Sequence, residues 1–266
     1  MEKILLDVGG TFIKCPDGRQ IPIDSDGTRE EIASSLRSAI CTQKAGDALC
    51  VQLRAAVPGP FDYATGQFLM KHKFAAVYGE YFSDIVGLPG ENCKFIHDVN
   101  CMLLGEMYRN GEGTEALPNT AMIALGTGLG FAMFVNGAIL KSELGSPKVS
   151  IYNRPFRDGI LEDYASKRGV MRLYGRNDLT VKEIADLARG GDPKALQAFS
   201  QMGEIIGEAI EPILREYSIG NLLLGGQISR SADLFIPSIA GKLPGVDSIR
   251  TISDFDNATF NGLKAL

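Results

Sequence analysis

The sequence has few of the residues that build metal clusters. Its 266 residues include two histidines, His72 and His97, and five cysteines at scattered positions. The cysteines form no Cys-x-x-Cys pair, so neither a disulfide framework nor a zinc ribbon is indicated, and reduced thiols are the simplest interpretation. Two histidines also leave little for a histidine-based metal site.

Excess positive charge and long apolar runs are also missing. The formal net charge is −5 at pH 7, with no basic block, which argues against nucleic acid or an anionic membrane as the main partner. No apolar stretch approaches the roughly 20 residues of a membrane span. The first residues, a few aliphatics between Lys3 and Asp7, lack a signal-peptide pattern. We therefore expect a cytoplasmic protein, whose 45% hydrophobic content can fill one large core or two ordinary ones.

A glycine-rich turn follows the first apolar run. Ile4-Leu5-Leu6 predicts a strand, and Asp7-Val8-Gly9-Gly10-Thr11 comes directly after it. Adjacent glycines allow positive φ and a close approach of the backbone to a ligand, while Thr11 adds a hydroxyl donor for phosphate oxygens. Asp7 could hold a hydrated Mg²⁺. The alternative is a plain β-hairpin in which Gly-Gly turns the chain and Phe12-Ile13-Lys14 is the returning strand.

The second half of the chain repeats this plan. A strand at 120–125 runs into Gly126-Thr127-Gly128-Leu129-Gly130, followed by a returning strand from Phe131 to Val135 and a turn at Asn136-Gly137. Two such turns, about 120 residues apart, suggest two related α/β lobes around a nucleotide cleft. We expect the lobes to span residues 1–109 and 110–266, with the last helix packing back on the first lobe.

A third pair of glycines, Gly225-Gly226, follows a strand predicted at 221–224. The pair can offer a flat backbone surface to an adenine or a ribose. It can equally be an ordinary packing device at a strand–helix junction.

Apolar periodicity predicts the elements between these turns. Strands are predicted at 49–57 and 94–98. Helices are predicted from Thr28, which begins a capping-box pattern with Glu31, to near Thr42, from about Tyr78 to Val86, and from Val99 to Tyr108. A mainly helical run from 161 to 217 is interrupted at 190–193.

Asp98 is the best candidate for chemistry, because it stands where a predicted strand ends and a helix begins. At this point of an open α/β sheet, side chains project into the crevice that binds ligands. A carboxylate there can accept a hydroxyl proton as that oxygen attacks a γ-phosphoryl group. The alternative is that Asp98 only caps the helix that begins at Val99.

Five motifs, in this order, resemble the ROK family of sugar kinases over nearly the whole chain. They are Asp-x-Gly-Gly-Thr at 7–11, Val57-Pro58-Gly59-Pro60-Phe61-Asp62, His97-Asp98-Val99-Asn100 with Gly105-Glu106, Leu125-Gly126-Thr127-Gly128-Leu129-Gly130, and Leu224-Gly225-Gly226. Each motif is moderately specific, and their order carries the resemblance. It implies an α/β fold of two ribonuclease-H-like, actin-like ATPase lobes, ATP and Mg²⁺ between them, and phosphate transfer to a hexose hydroxyl.

The resemblance also implies a role for each motif residue. Asp98 would be the general base, and Asp7 the carboxylate that holds Mg²⁺ through water. The other residues implied on the nucleotide side are Gly9, Gly10, Thr11, Lys14, Gly126, Thr127, Gly128, Gly225 and Gly226. Those implied on the sugar side are Gly59, His97, Glu143 and Glu162. The expected partners are ATP and a hexose, and the family's tendency to dimerise makes a homodimer possible.

Several sugar-side positions depart from the family pattern. The family usually places Asn before the catalytic Asp, where this chain has His97, which could instead be a core histidine. Ser142-Glu143-Leu144-Gly145-Ser146 resembles the family's Gly-Glu-x-Gly-His segment, and Leu161-Glu162 resembles a second sugar-binding segment. Both glutamates could instead be surface charges. Met70-Lys71-His72-Lys73-Phe74 falls where the family places a sugar-contacting Asn, so Lys73 and His72 contact substrate there or are simply solvated.

The family's cysteine-rich zinc cluster is missing between the two glutamate segments. Residues 146–161 contain no cysteine or histidine, and we expect no zinc. The loop that carries Glu143 must then be held by packing and hydrogen bonds alone.

Three other functions remain as alternatives. A type III pantothenate kinase has a similar opening motif, although Asn136-Gly137 after the second glycine turn fits sugar kinases better. A redox-activator ATPase would use Cys93 or Cys101 as ligands of an iron–sulfur cluster. A sugar sensor would bind without catalysis.

Overall fold

The structure, a computed structural model, describes residues 2–41, 51–108 and 118–266. The chain divides into two compact units. Unit 1 comprises residues 1–112, 141–147 and 256–266, and unit 2 comprises residues 113–140 and 148–255. Each unit contains a five-stranded sheet, so the α/β class predicted from the sequence is confirmed. No helix of the described ranges is both long and apolar enough to cross a membrane.

The sheet of unit 1 has the strand order β3-β2-β1-β4-β7. The strands of this unit are β1 (Glu2–Val8), β2 (Phe12–Lys14), β3 (Gln20–Pro22), β4 (Val51–Val57), β5 (Phe61–Asp62), β6 (Gln67–Phe68) and β7 (Cys93–His97). β1, β4 and β7 are parallel, whereas β2 returns antiparallel to β1. The helices along these strands are α1 (Arg29–Cys41), α2 (Phe82–Val86) and α3 (Asp98–Met107).

Local sequence explains how α1 begins. The Glu31 carboxylate accepts hydrogen bonds of 2.8 Å from both the N–H and the hydroxyl of Thr28, and the Thr28 hydroxyl in turn accepts from the Glu31 N–H. This is the predicted capping box. Ile32 and Leu36 then face the core, fully buried. This helix was predicted to end near Thr42, and the strand that corresponds to β4 was predicted to begin at residue 49. Both Thr42 and residues 49–50 lie outside the described residues.

Two boundaries predicted for unit 1 are wrong. The helix predicted from Tyr78 begins only at Phe82, because Gly79 has a φ of +83° and Tyr81 forms a β-bridge with Gln67. The strand predicted to end at Asp98 ends at His97, and Asp98 is the first residue of α3.

The sheet of unit 2 has the order β10-β9-β8-β13-β14. The strands of this sheet are β8 (Thr120–Leu125), β9 (Leu129–Val135), β10 (Ala138–Ile139), β13 (Asn221–Gly225) and β14 (Ser248–Thr251). A separate small hairpin is formed by β11 (Pro155–Phe156) and β12 (Gly159–Ile160). The helices of unit 2 are α4 (Lys167–Tyr174), α5 (Val181–Arg189), α6 (Pro193–Glu216) and α7 (Ile236–Lys242). β9 begins two residues before the predicted Phe131, because Leu125 and Leu129 already pair across a three-residue turn.

The two sheets share the arrangement that the repeated glycine turns predict. In each, the first strand of the half continues through a glycine turn into an antiparallel partner and pairs on its other side with a parallel strand. The turns at 9–11 and 126–128 therefore occupy equivalent positions in their own units.

The last helix, α8 (Ala258–Ala265), belongs to unit 1 and packs against α3. The two backbones are in close contact: a Cβ at Gly105 would lie 2.1 Å from the carbonyl oxygen of Ala258, and one at Gly262 would lie 1.9 Å from that of Cys101. Arg54 Nη1 donates to the carbonyls of Leu263 and Lys264, each at 2.9 Å. These carbonyls lie at the C-terminal end of α8, where the negative end of the helix dipole stabilises a cation.

This close contact predicts that Gly105→Ala destabilises the protein. No Cβ fits without separating α3 from α8, and overpacking of this kind costs about 1–3 kcal/mol or more. The free energy of unfolding, measured by denaturant titration, should fall accordingly. Gly241→Ala is the control, because Gly241 is an exposed residue of α7 with nothing within 4 Å of its Cβ position. Equal stabilities of the two variants would contradict the packing argument.

Candidate active site

Asp98 presents a partly exposed carboxylate at the β7–α3 junction of unit 1. Its Oδ1 accepts the Val99 N–H at 2.6 Å and lies 2.7 Å from Nδ1 of His97. The buried Nδ1 has no other hydrogen-bond acceptor in the described part of the chain. The Asp98 side chain is 48% exposed. One oxygen thus engages the start of α3, and the other is available to a ligand.

The electrostatic surroundings keep Asp98 ionised. Desolvation by the surrounding protein would raise its pKa, but the His97 ring, the Val99 N–H and the Lys73 ammonium together hold that pKa below its ordinary value. The group is therefore a carboxylate at neutral pH, which is the form that can accept a proton.

Asp7 lies at the end of β1 in the same unit. Its Oδ2 is 3.3 Å from Nζ of Lys14, the residue opposite it on β2, and its side chain is 18% exposed. Burial raises the pKa of Asp7; Lys14 lowers it and the charge of Asp98 raises it further, and the net shift is upward. The charge of Asp98 is therefore close enough to raise the pKa of Asp7.

The first glycine turn is closed by a hydrogen bond of 2.9 Å from the Gly9 N–H to the Phe12 carbonyl. Its glycines allow positive φ, but neither Gly9 nor Gly10 adopts it. Space is tight at both positions: a Cβ would lie 3.0 Å from the Phe12 oxygen at Gly9 and 3.2 Å from Ser25 Oγ at Gly10, so these neighbours would have to move slightly to admit a side chain. The turn joins β1 to the antiparallel strand β2, so the hairpin predicted as the alternative is present. Thr11 at the end of the turn is exposed and can still contact a ligand.

The loop 141–147, which carries Glu143, is held to unit 1 by hydrogen bonds. The Tyr63 N–H donates to the Leu144 carbonyl at 2.9 Å, and Asn100 Nδ2 donates to the Gly145 carbonyl at 3.2 Å. Gly145 has a φ of +89°, and a Cβ there would lie 2.8 Å from Cβ of Tyr63. Glu143 itself is exposed and makes no hydrogen bond or ion pair to any described residue. The loop backbone is therefore fixed, while the Glu143 carboxylate is exposed and not bonded to any described residue.

Gly59 and His97 lie beside this loop. A Cβ at Gly59 would lie 3.5 Å from each of three side-chain atoms, in His97, Ser146 and Tyr63. The Tyr63 hydroxyl donates to the Val57 carbonyl at 2.8 Å. Tyr63 and Asn100 were not singled out from the sequence. The Asn100 side chain is fully buried, and its position two residues after Asp98 was the available signal.

Unit 2 contains the second glycine turn. The Gly126 N–H donates to the Gly128 carbonyl at 3.0 Å, and the Gly126 carbonyl accepts from the Lys167 N–H at 2.9 Å. Nothing lies within 4 Å of a Cβ position at Gly126, and Thr127 is exposed. The turn therefore leaves room for a ligand along its outer side.

Glu162 supports this turn. Its Oε2 accepts the Leu129 N–H at 2.9 Å, and its Oε1 accepts from Arg168 Nη2 at 2.8 Å. A Cβ at Gly128 would lie 2.8 Å from that Oε2. The Glu162 side chain is 19% exposed. Glu162 is thus not an ordinary surface charge.

The pair Gly225-Gly226 has a packing role in unit 2. Gly226 has a φ of +78°, and a Cβ there would lie 2.3 Å from the Leu125 carbonyl oxygen. The buried Ser229 hydroxyl donates to the Gly225 carbonyl at 2.7 Å. Glycine at 226 brings the end of β13 against the end of β8, and a nucleotide contact here stays a prediction.

Comparison with protein families identifies the chain. Residues 3–245 match the model of the ROK family. The chain belongs to the ROK family. A curated relative, a glucokinase from Halalkalibacterium halodurans, is 26% identical over 171 residues, which are 54% of this chain and 51% of that protein. The chain spans about half the length of the first curated relatives that it matches.

Solved structures with the same fold include two glucokinases. The one from Parabacteroides distasonis has a TM-score of 0.75 at 20% identity, with 98% of this chain and 94% of that chain covered. A ROK family glucokinase from Streptomyces griseus, in complex with glucose and AMPPNP, has a TM-score of 0.71 at 22% identity, with 98% and 97% covered. At these identities the likeness establishes the actin-like ATPase fold.

The segment that lacks the zinc ligands of the ROK family forms the β11–β12 hairpin. The Ile160 N–H donates to Asp163 Oδ2 at 2.9 Å, and the hairpin residue Asp158 accepts from the Tyr164 hydroxyl and from Arg172 Nη2, the latter at 2.6 Å. Within residues 2–41, 51–108 and 118–266, no three or more His, Cys, Asp or Glu side chains form a group that could hold a metal ion.

The cysteines considered as iron–sulfur ligands have raised pKa values in this structure. Burial, with a contribution from Glu91, raises the pKa of Cys93 to about 11. Burial also raises the pKa of Cys101, whose Sγ donates to the Thr259 carbonyl at 3.1 Å.

Proposed function

We propose that this ROK family protein transfers the γ-phosphoryl group of ATP to a hydroxyl of a hexose, with Asp98 as the general base. The observation that carries the proposal is the state of Asp98: an ionised, half-exposed carboxylate at a strand–helix junction, in the same unit as the first glycine turn. The family includes kinases of this type, as the names of the relatives indicate.

Asp98 would act through the oxygen that its helix leaves free. Oδ1 is engaged by the Val99 N–H, so Oδ2 would accept the hydroxyl proton of the sugar. The sugar oxygen forms the new O–P bond as the bond between the γ-phosphorus and the bridging oxygen of ATP breaks, and ADP leaves with the electron pair. His97, 2.7 Å from Oδ1, would help keep the carboxylate ionised and oriented.

We assign the nucleotide to the glycine turns. In the first turn, the backbone N–H groups of Gly10 and Thr11, with Lys14 behind them, would bind phosphate oxygens. Gly9, whose N–H is held by the Phe12 carbonyl, would shape the turn beside them. In unit 2 the phosphate contacts would come from Gly126, Thr127 and Gly128, and Gly225-Gly226 would face the adenosine.

Asp7 fits the role of a carboxylate that binds Mg²⁺ through water. Burial raises its pKa, so a nearby cation would stabilise the ionised form. Mg²⁺ typically keeps several waters and uses one or two carboxylates beside substrate phosphates, and a single carboxylate at the phosphate turn meets that need. When bound, the ion would neutralise charge on the phosphates.

We assign the sugar to Gly59, His97, Glu143 and Glu162. Glu143 is exposed with no protein partner among the described residues, which suits a group that waits for a ligand. The Glu162 carboxylate accepts a hydrogen bond from the Leu129 N–H, next to the second glycine turn. Glu162 would therefore both bind the sugar and hold this turn in place. A homodimer and a cytoplasmic location stay predictions.

A coupled assay of ADP release tests the proposed function. Glucose, mannose, fructose, allose and N-acetylated hexosamines would be supplied as acceptors, with pantothenate as a comparison, in the presence of Mg-ATP. We expect ADP release that depends on one or more of the sugars. Release only with pantothenate would favour the other kinase, while calorimetric binding of a sugar without any ADP release would favour a sensor.

We also predict that the purified protein contains no stoichiometric zinc. The ligand set is absent from residues 146–161, where a hairpin held by Asp158 and Arg172 takes its place. Elemental analysis should find far less than one zinc per chain, and activity should not change on chelation when Mg²⁺ is in excess. One zinc per chain would show that ligands come from elsewhere, such as His72, His97 or Cys101.

A further inference from the structure

The side chain of Lys73 lies over the first glycine turn. Its Cδ and Nζ are each 3.8 Å from the position that a Cβ on Gly10 would take. Its charge also reaches Asp98, whose pKa it lowers. Lys73 therefore stands beside both the turn assigned to phosphate and the carboxylate assigned as base.

The backbone fixes this position. Phe74, the next residue, is fully buried with a φ of +53°, and its N–H donates to the Ser25 carbonyl at 2.6 Å. The Ser25 N–H in turn donates to the Gly10 carbonyl at 3.1 Å. Ser25 thus ties the segment that carries Lys73 to the glycine turn.

The charge of Lys73 is left for a ligand. Its side chain is exposed and forms no hydrogen bond or ion pair with any residue of the described ranges. The neighbouring cations are engaged differently: Lys14 pairs with Asp7, and Lys71 lies 5.1 Å from the ring centroid of Tyr78. Lys73 can therefore meet an anion at this turn without first losing a carboxylate partner among the described residues.

We propose that Lys73 Nζ contacts the phosphoryl group that is transferred. This inference rests on the proposed function and adds a catalytic residue to it. As the sugar hydroxyl gives its proton to Asp98, the O–P bond forms and ADP leaves with the electron pair of the broken bond. Lys73 stays protonated throughout and stabilises the charge on the equatorial phosphoryl oxygens, which a fixed cation does most effectively in such a transition state.

The test compares nucleotides with and without a γ-phosphate in the whole protein. Mg-AMPPNP and Mg-ADP would be titrated calorimetrically, without sugar, into the wild type, Lys73→Met, Lys73→Arg and the control Lys71→Met. We expect Lys73→Met to weaken AMPPNP binding by about 10-fold or more and to leave ADP binding within about 2-fold. With an accepted sugar, kcat should fall by about 10- to 100-fold. Lys73→Arg should recover part of both losses, and Lys71→Met should match the wild type.

The failures are distinguishable. Suppose that Lys73→Met has the melting temperature of the wild type and the same ratio of AMPPNP to ADP affinity. This result would overturn the inference about Lys73 but would not contradict the proposed kinase activity. A loss confined to KM for the sugar would also overturn it, because Lys73 would then contact the acceptor. Failure of the wild type to bind either nucleotide would overturn the proposed function and this inference with it.

Discussion

Asp98→Asn should abolish most sugar-dependent turnover, lowering kcat by a factor of about 10² or more. The amide is nearly isosteric with the carboxylate, and its oxygen can still accept the Val99 N–H that Asp98 now binds at 2.6 Å. What it cannot do is accept the proton of the sugar hydroxyl. We therefore expect the unfolding midpoint and the affinity for Mg-AMPPNP to remain close to those of the wild type.

Asp192→Asn is a matched control for this experiment. Asp192 precedes α6 in unit 2 and accepts the Ala195 N–H at 2.8 Å, so it is an aspartate whose role is to cap a helix. An asparagine retains that role at little cost, and kcat should be unchanged. If Asp98→Asn behaved like Asp192→Asn, Asp98 would be a helix-terminal residue only, and the proposed mechanism would be wrong.

Glu162→Gln should give the second largest loss. If Glu162 binds sugar hydroxyls as we propose, its substitution leaves polar groups of the bound sugar unpaired, which costs about 1–3 kcal/mol, or roughly 5- to 150-fold in kcat/KM for the sugar. The structure adds a second expectation. Because the carboxylate also binds the Leu129 N–H and Arg168, its loss should loosen the glycine turn and raise KM for ATP as well.

Glu143→Gln separates the two effects. Glu143 has no partner among the described residues, and its loop belongs to unit 1, so its loss should fall on the sugar constants and leave KM for ATP nearly unchanged. Glu183→Gln, in the capping box of α5, is the control for loss of a surface carboxylate and should change neither constant. Unchanged sugar kinetics in Glu143→Gln and Glu162→Gln would contradict their assignment to the sugar.

Neighbouring residues determined much of the architecture. The capping box of Thr28 and Glu31, the strand–turn–strand spelling around both glycine turns and the strand–helix junction at Asp98 all depend on interactions within a few residues, and such patterns can be recognised from sequence. Membership of the ROK family is shown by the match of residues 3–245 to the family model.

Local patterns failed where a distant contact competed with them. The sequence from Tyr78 predicts a helix, but pairing of Tyr81 with Gln67 and the φ of Gly79 keep the first residues out of it. At Gly9 and Gly10 the pattern allows positive φ, but neither residue adopts it, and the contacts that limit the space for a side chain there are with Phe12 and Ser25. Gln67, which pairs with Tyr81, and Ser25, which lies beside Gly10, belong to other parts of the chain, whereas Phe12 lies in the same hairpin as Gly9.

By itself, therefore, the sequence determined the α/β class, the two glycine turns and the position of Asp98, because backbone sterics and hydrogen bonding act over short separations. Tertiary structure alone decided how Asn100 and Tyr63 hold the loop of Glu143, how Glu162 braces the second turn, and that Lys73 lies over Gly10. These contacts join residues far apart in the chain. They form only when burial of the apolar core brings the segments together, and no local pattern encodes them.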